Sequence, residues 1–169
     1  MVSLLTYHKN FALRTTILRI TNPYGPRQQI KHSKYSLVGW FIRQAMEDKK
    51  INIFGQGNQK RDYIYVDDII DAILHLTKNE NISGEIFNVG FGKSIEFREM
   101  VKKIIEIVGK GRIAFVDWPE DYEKVETGNI QIDVSKIFNY SAWKPKIYLE
   151  EGIRRTIAYY SKYFDKYVK

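Results

Sequence analysis

The sequence predicts an α/β fold, and three observations carry that prediction. Short apolar, β-branched runs alternate with longer stretches of helical periodicity along the whole chain. The runs stop at turn-forming clusters such as "TNPYGP", "GQGN" and "GFG". The run "TTILRI", Thr15 to Ile20, is apolar on both faces, as in a parallel sheet covered on both sides. Too few strands follow it to complete such a sheet. The expectation is therefore an incomplete sheet, represented by its late strands, beside a smaller α/β unit.

The elements follow in order. "SLLTYHKNF" reads as the end of a helix, as though the domain were entered halfway through. "TTILRI" is a strand, closed by the Pro/Gly turn "TNPYGP". "KYSLVGWFIRQAMEDKK" places Val38, Phe41, Ile42 and Ala45 on one helical face. "INIF" and "RDYIYV" are strands flanking the "GQGN" turn. Asp67 and Asp68 open a helix, where carboxylates suit the free N–H groups and the dipole; Ile69, Ile70, Ile73 and Leu74 supply its core stripe. "EIFNV" is a strand between glycines. Ser94 stands where an N-cap would, before a helix with Phe97, Val101, Ile104 and Val108 on its apolar face and Gly109 at its end. "RIAFV" is a strand, and a last helix runs from Leu149 into the Tyr-rich tail.

Composition narrows the function. The chain has 169 residues, 44% of them hydrophobic and 14% aromatic, enough for a folded domain with a sizeable core. It has no cysteine, which excludes disulfides, thiolate nucleophiles and cysteine-based zinc sites and fits a reducing cytoplasm. No apolar run approaches the roughly 18 residues of a membrane span, and the opening lacks the pattern of a signal peptide. The net charge of +7 fits either a solvated basic surface or an anionic partner. The lysines are dispersed and no nucleic-acid module is present, so a phosphorylated small molecule is expected rather than nucleic acid.

The stretch "GQGNQKRDYIYVDDI", Gly55 to Ile69, holds the leading candidate for that anion. A guanidinium is always charged and forms paired hydrogen bonds to phosphate oxygens, so Arg61 suits the task; it equally suits a surface pair with Asp62. Asn22 could donate to a phosphate without adding charge, or serve only the Asn-Pro turn. The histidines, His8, His32 and His75, are far apart and form no metal-ligand motif.

Six stretches, "LRITNPYGPRQ", "IFGQGNQKRDYIYVDDI", "GEIFNVGFG", "IDVSKIF", "WKPKIYLEEGI" and "IAYY", carry a family resemblance. In this order and spacing the chain resembles the C-terminal half of the extended short-chain dehydrogenases that act on nucleotide sugars: UDP-glucose 4-epimerases, dTDP-glucose dehydratases and UDP-glucuronate decarboxylases. The resemblance covers nearly the whole chain. It implies that residues 1–30 end a Rossmann-type domain and that 31–169 mostly form the nucleotide-sugar-binding domain, with 85–92 returning to the Rossmann-type sheet. It further implies that Arg61 grips the diphosphate, Asn22 reaches it, and Asp62 supports rather than touches the ligand. Leu37 and Val38 would line the nucleoside pocket, Ile53 and Phe54 would lie beside the base, and Thr21 would bring its backbone near the nicotinamide. For these apolar positions core packing explains the residue type as well. The implied partner is a nucleotide sugar, a UDP-sugar foremost, with no nucleic acid and no membrane. The implied cofactor is NAD in the full-length family, with none bound by these residues alone.

Two family essentials are missing from these residues. "GQG" and "GFG" lack the third glycine and the strand-to-helix context of the NAD loop, and both read as turns. The catalytic Tyr-x-x-x-Lys has one formal match, Tyr140 to Lys144, which Pro145 disqualifies by disfavouring helix at Lys144. No catalytic or metal-binding residue is therefore expected. The chain reads as the substrate-binding part of an epimerase or dehydratase, inactive alone, or as a non-enzymatic module that associates with a second chain, or with itself, through its sheet face. One departure stands out: Glu126 in "ETGN" occupies the place of a family arginine in "RxGD" that adds charge against the diphosphate.

Overall fold

The computed structural model describes residues 2–34 and 36–168. Helices and strands alternate as α1 (Val2–Phe11), β1 (Ile17–Ile20), β2 (Asn22–Tyr24), α2 (Leu37–Met46), β3 (Lys50–Phe54), β4 (Lys60–Tyr65), α3 (Val66–Leu76), β5 (Ile86–Val89), β6 (Ser94–Glu96), α4 (Phe97–Val108), β7 (Arg112–Val116), α5 (Glu120–Glu123), α6 (Ser135–Tyr140) and α7 (Leu149–Val168). The α/β class holds. Strand β1 pairs in parallel with β5, Ile17 opposite Ile86. Strand β3 pairs in parallel with β7. In a third sheet β4 is flanked by β2 in parallel and β6 antiparallel.

Two apolar clusters hold these layers. The larger joins α2, β3, β4, α4 and α7, with Val38, Phe41, Ile42 and Ala45 buried along the expected face of α2. Ser36 caps that helix, its hydroxyl accepting from the Gly39 amide at 3.1 Å. Phe41 and Phe97 meet edge to face at 5.5 Å between ring centroids, fastening α2 to α4. The smaller cluster gathers Ile64, Ile69, Ala72, Phe87, Val89, Ile137 and Trp143. Gly109 adopts φ 75° beyond α4, its amide bonded to Ile105 O at 2.8 Å, as its placement after the apolar stripe requires.

Three local expectations are corrected. On α3, only Ile69 of the expected stripe is buried; Ile70, Ile73 and Leu74 are 51%, 41% and 55% exposed. The helix instead buries Asp68, Ile69, Ala72 and Leu76. The cause is Asp68, whose carboxylate does not cap its own helix but accepts from the amides of Lys146 and Ile147, both at 3.0 Å, while Trp143 Nε1 donates to Asp68 O at 3.0 Å. That anchorage turns the Asp68 face inward. Ser94 is not an N-cap; it begins β6, and α4 starts at Phe97. The first amides of α4, Phe97 and Arg98, find their acceptors in Gln59 O (2.9 Å) and Gly57 O (3.0 Å) of the preceding turn. Finally, "TNPYGP" is not all turn: Asn22–Tyr24 forms β2.

Candidate functional site

Strand alternation organises the site. Successive side chains of β4 point to opposite faces, so Arg61 and Tyr63 share one face and Asp62 takes the other. Asp62 is fully buried, and its carboxylate accepts from the amides of Phe91 (2.9 Å) and Gly92 (2.8 Å). Burial pushes its carboxyl above the ordinary value against the opposing pull of these two N–H groups. Gly90 makes the approach possible: a Cβ there would lie 2.9 Å from Asp62 Oδ2. Asp62 thus braces the turn at 90–92.

The opposite face opens into a cleft of about 810 Å³. Asn22, Leu37, Val38, Phe54 and Arg61 all line it. Register explains part of this, because β2 sets Asn22 directly beside Tyr63 on β4. The Asn22 amide donates one N–H to Asp62 O at 2.8 Å, which fixes its orientation and leaves a second N–H. Arg61 donates from Nη1 to Lys60 O at 3.0 Å and to Gly128 O, and from Nη2 to the Glu126 carboxylate. Its ion pair is therefore with Glu126, not with Asp62, and both partners are largely enclosed, at 15% and 24% side-chain exposure.

Two expected residues lie apart from this wall. Ile53 is wholly buried beneath it, in the larger core cluster, and is not among the residues lining the cleft. Thr21 lies beyond the end of β1, its amide bonded to Val89 O at 3.1 Å and its hydroxyl buried without a hydrogen-bond partner among the described residues.

The cleft also contains residues that sequence reading passed over. Tyr63 is 7% exposed and its hydroxyl has no partner among the described residues. Burial pushes its phenol upward, so it remains protonated and able to donate. Its spacing of two from Arg61 on a strand was the available signal. Trp118 and Tyr122 stack beside Phe54, with ring centroids 5.4 Å and 5.9 Å away, forming an aromatic wall suited to a planar ring. Trp118 lies in a loop and Tyr122 in the short, charged α5, with no apolar periodicity to mark either.

Both glycine turns join strand to strand: Gly55–Gly57 between β3 and β4, Gly90–Gly92 between β5 and β6. Neither leads from a strand directly into a helix. Tyr140 ends α6 and Lys144 lies beyond it, so they do not share a helix face. His8 Nδ1 lies 2.9 Å from Leu13 O, and His75 Nδ1 lies 2.8 Å from Asp71 O. Among the described residues no group of three His, Cys, Asp or Glu could hold a metal ion, and no helix is long and apolar enough to cross a membrane.

An α/β fold with parallel strand pairs thus carries one cleft walled by β2, α2, β3 and β4. A model of the NAD dependent epimerase/dehydratase family matches residues 2–90, and the chain belongs to that family. It is 30% identical over 156 residues to the UDP-glucuronate 4-epimerase of Thermodesulfobacterium geofontis, covering 90% of this chain and 45% of that protein. The crystal structure of UDP-glucose 4-epimerase with UDP-glucose from Thermotoga maritima superposes with a TM-score of 0.86 at 30% identity, over 96% of this chain and 51% of that one. The UDP-glucuronic acid 4-epimerase of Bacillus cereus, in complex with UDP-glucuronic acid and NAD, gives 0.79 at 29% identity, over 94% and 48%. The chain spans about half the length of the relatives it matches.

Proposed function

We propose that this chain is the nucleotide-sugar-binding part of an NAD-dependent epimerase or dehydratase of the UDP-glucose 4-epimerase type. The observation that carries the reading is the meeting of Asn22, Leu37, Val38, Phe54 and Arg61 on one cleft. Arg61 supplies a permanent cation for the diphosphate, and Asn22 an uncharged donor beside it. Phe54, with Trp118 and Tyr122, offers the base a stacking surface. Tyr63 adds a buried hydroxyl that a ligand oxygen could satisfy. Residues 17–20 and 86–89 belong, on this reading, to the Rossmann-type sheet, and most of the remainder to the substrate domain.

NAD, in such enzymes, takes a hydride from the sugar and returns it or passes it on. The residues here do not fit NAD by themselves: neither glycine turn opens onto a helix N-terminus, where a pyrophosphate would find free N–H groups. The sequence has no usable Tyr-x-x-x-Lys to move the sugar proton. The 169-residue chain is therefore expected to bind nucleotide sugar without turning it over, even with NAD supplied. A thermal-unfolding screen with UDP-glucose, UDP-glucuronate and dTDP-glucose tests the binding. A ligand at about 100 times its dissociation constant should add roughly 2.7 kcal/mol of stability. No shift with any nucleotide sugar would contradict the proposal, and epimerisation by the purified chain would contradict its inactivity.

A second reading, association with another chain, is favoured by a separate observation. Leu4, Tyr7, Phe11 and Leu13 near α1 and Ile70, Ile73 and Leu74 on α3 are large apolar side chains left exposed. Self-association on size-exclusion chromatography, abolished by Ile70→Lys with Leu74→Lys, would support it. A dilute monomer with little dye binding would count against it.

A further inference from the structure

We infer that Glu126 is an internal competitor for the anion site on Arg61, and that a diphosphate ligand binds by displacing it together with the segment that carries it. This inference rests on the nucleotide-sugar reading of the cleft. The Arg61 guanidinium is already engaged by the Glu126 carboxylate and by Gly128 O. A diphosphate brought against the intact pair would meet a carboxylate at close range, and like charges in a partly enclosed site repel. Lys124 does not relieve this, because it pairs with Glu120 at 2.6 Å and does not line the cleft, and Glu126 has its ion pair with Arg61 rather than with either lysine of the lining. The carboxylate must leave for the diphosphate to take its place.

The segment is built to let it leave. Beyond the Arg61 bonds, two hydrogen bonds tie it to β4: Lys60 N donates to Asn129 Oδ1 at 2.8 Å and Ile130 N to Lys60 O at 2.9 Å. Gly128, at φ 69°, has nothing within 4 Å of where a Cβ would be, so the turn is open on that side. Gly128 N also donates to Glu126 Oε1 at 3.0 Å, so carboxylate and turn form one small unit. That unit holds the position on Arg61 that a bound anion would take, and the ligand's affinity is reduced by the fraction of molecules in which it is in place.

Isothermal titration of UDP-glucose into the wild-type chain, Glu126→Gln and Glu126→Arg, with amide hydrogen exchange at Lys60 and Ile130, tests this. Glu126→Gln should bind about tenfold tighter or better, and Glu126→Arg tighter still. UDP-glucose should accelerate exchange at Ile130 and Lys60 in the wild type, the reverse of ordinary ligand protection; this readout decides the matter even if a variant fails to fold. Wild-type binding with unchanged or weaker affinity in Glu126→Gln and slowed exchange at Ile130 would overturn the competitor while leaving the nucleotide-sugar reading intact. Absence of binding by all three folded proteins would overturn both.

Discussion

At the scale of single residues, the adjacent pair Arg61 and Asp62 separates binding from stability. One faces the cleft and the other the turn at 90–92, by the alternation of a single strand. Removing the Arg61 guanidinium should cost the hydrogen bonds to a charged phosphate, about 1.5–3 kcal/mol each, and a smaller share of stability from its contacts with Glu126 and Gly128. Arg61→Lys should recover only part of the affinity, because a point charge lacks the paired donors. Asp62→Ala should do the opposite. It leaves two partly buried amides without their acceptor, at up to about 1–3 kcal/mol for each unsatisfied group, and lowers stability directly. Calorimetric titration of UDP-glucose beside urea unfolding of both variants checks the split. Equal losses of affinity and stability in both variants would refute it.

At the scale of elements, α3 depends on the segment at 141–147. Trp143 is 1% exposed and its indole bonds to Asp68 O, so Trp143→Ala should remove about 3–5 kcal/mol of stability, measured by chemical unfolding. A weaker tie lies on the surface, where Lys146 Nζ meets Asp71 Oδ2 at 2.9 Å. The hydrogen bond from Lys146 holds the Asp71 carboxyl below its ordinary 3.8. A depressed carboxyl adds stability above its unfolded pKa, and that contribution is lost as pH falls through the folded value. The stability difference between wild type and Asp71→Asn should therefore be small but present at neutral pH and vanish well below pH 3.8. A difference that grows on acidification would show that the pair does not act this way.

The same elements show what the sequence could and could not reveal. The α2 face was legible because a run of apolar residues at helical spacing leaves one packing solution. On α3 the isoleucines and Leu74 offered a wider stripe, and only the long-range bonds of Asp68 select which side turns inward. Ser94 has the chemistry of an N-cap, but strand pairing with Asp62 claims it and remote carbonyls serve the helix instead. In the site, Arg61 and Asn22 stood out because charged and amide groups at turn-flanked positions carry meaning locally. Ile53 and Phe54 could not be told apart from each other, since only the register of β3 puts the first in the core and the second on the cleft. Trp118 reaches Phe54 across dozens of residues, through a contact no local pattern encodes.

At the scale of the whole molecule, a +7 chain sets Arg61, two lysines, the Glu126 carboxylate and an aromatic wall around one cleft, with Asp62 kept on the far side of the strand. With Glu126 displaced, as inferred above, the arrangement suits a nucleoside diphosphate: cation at the phosphates, ring surface at the base. The chain spans about half of its relatives, and large apolar side chains on α1 and α3 are exposed. On the proposed reading, binding and turnover should come apart in this chain. The most direct test is a crystal structure of the chain grown with UDP-glucose. The diphosphate is expected within hydrogen-bond reach of Arg61 and Asn22, with the uracil against Phe54. Ligand bound away from this cleft, with the Arg61–Glu126 pair still closed, would contradict the central claim.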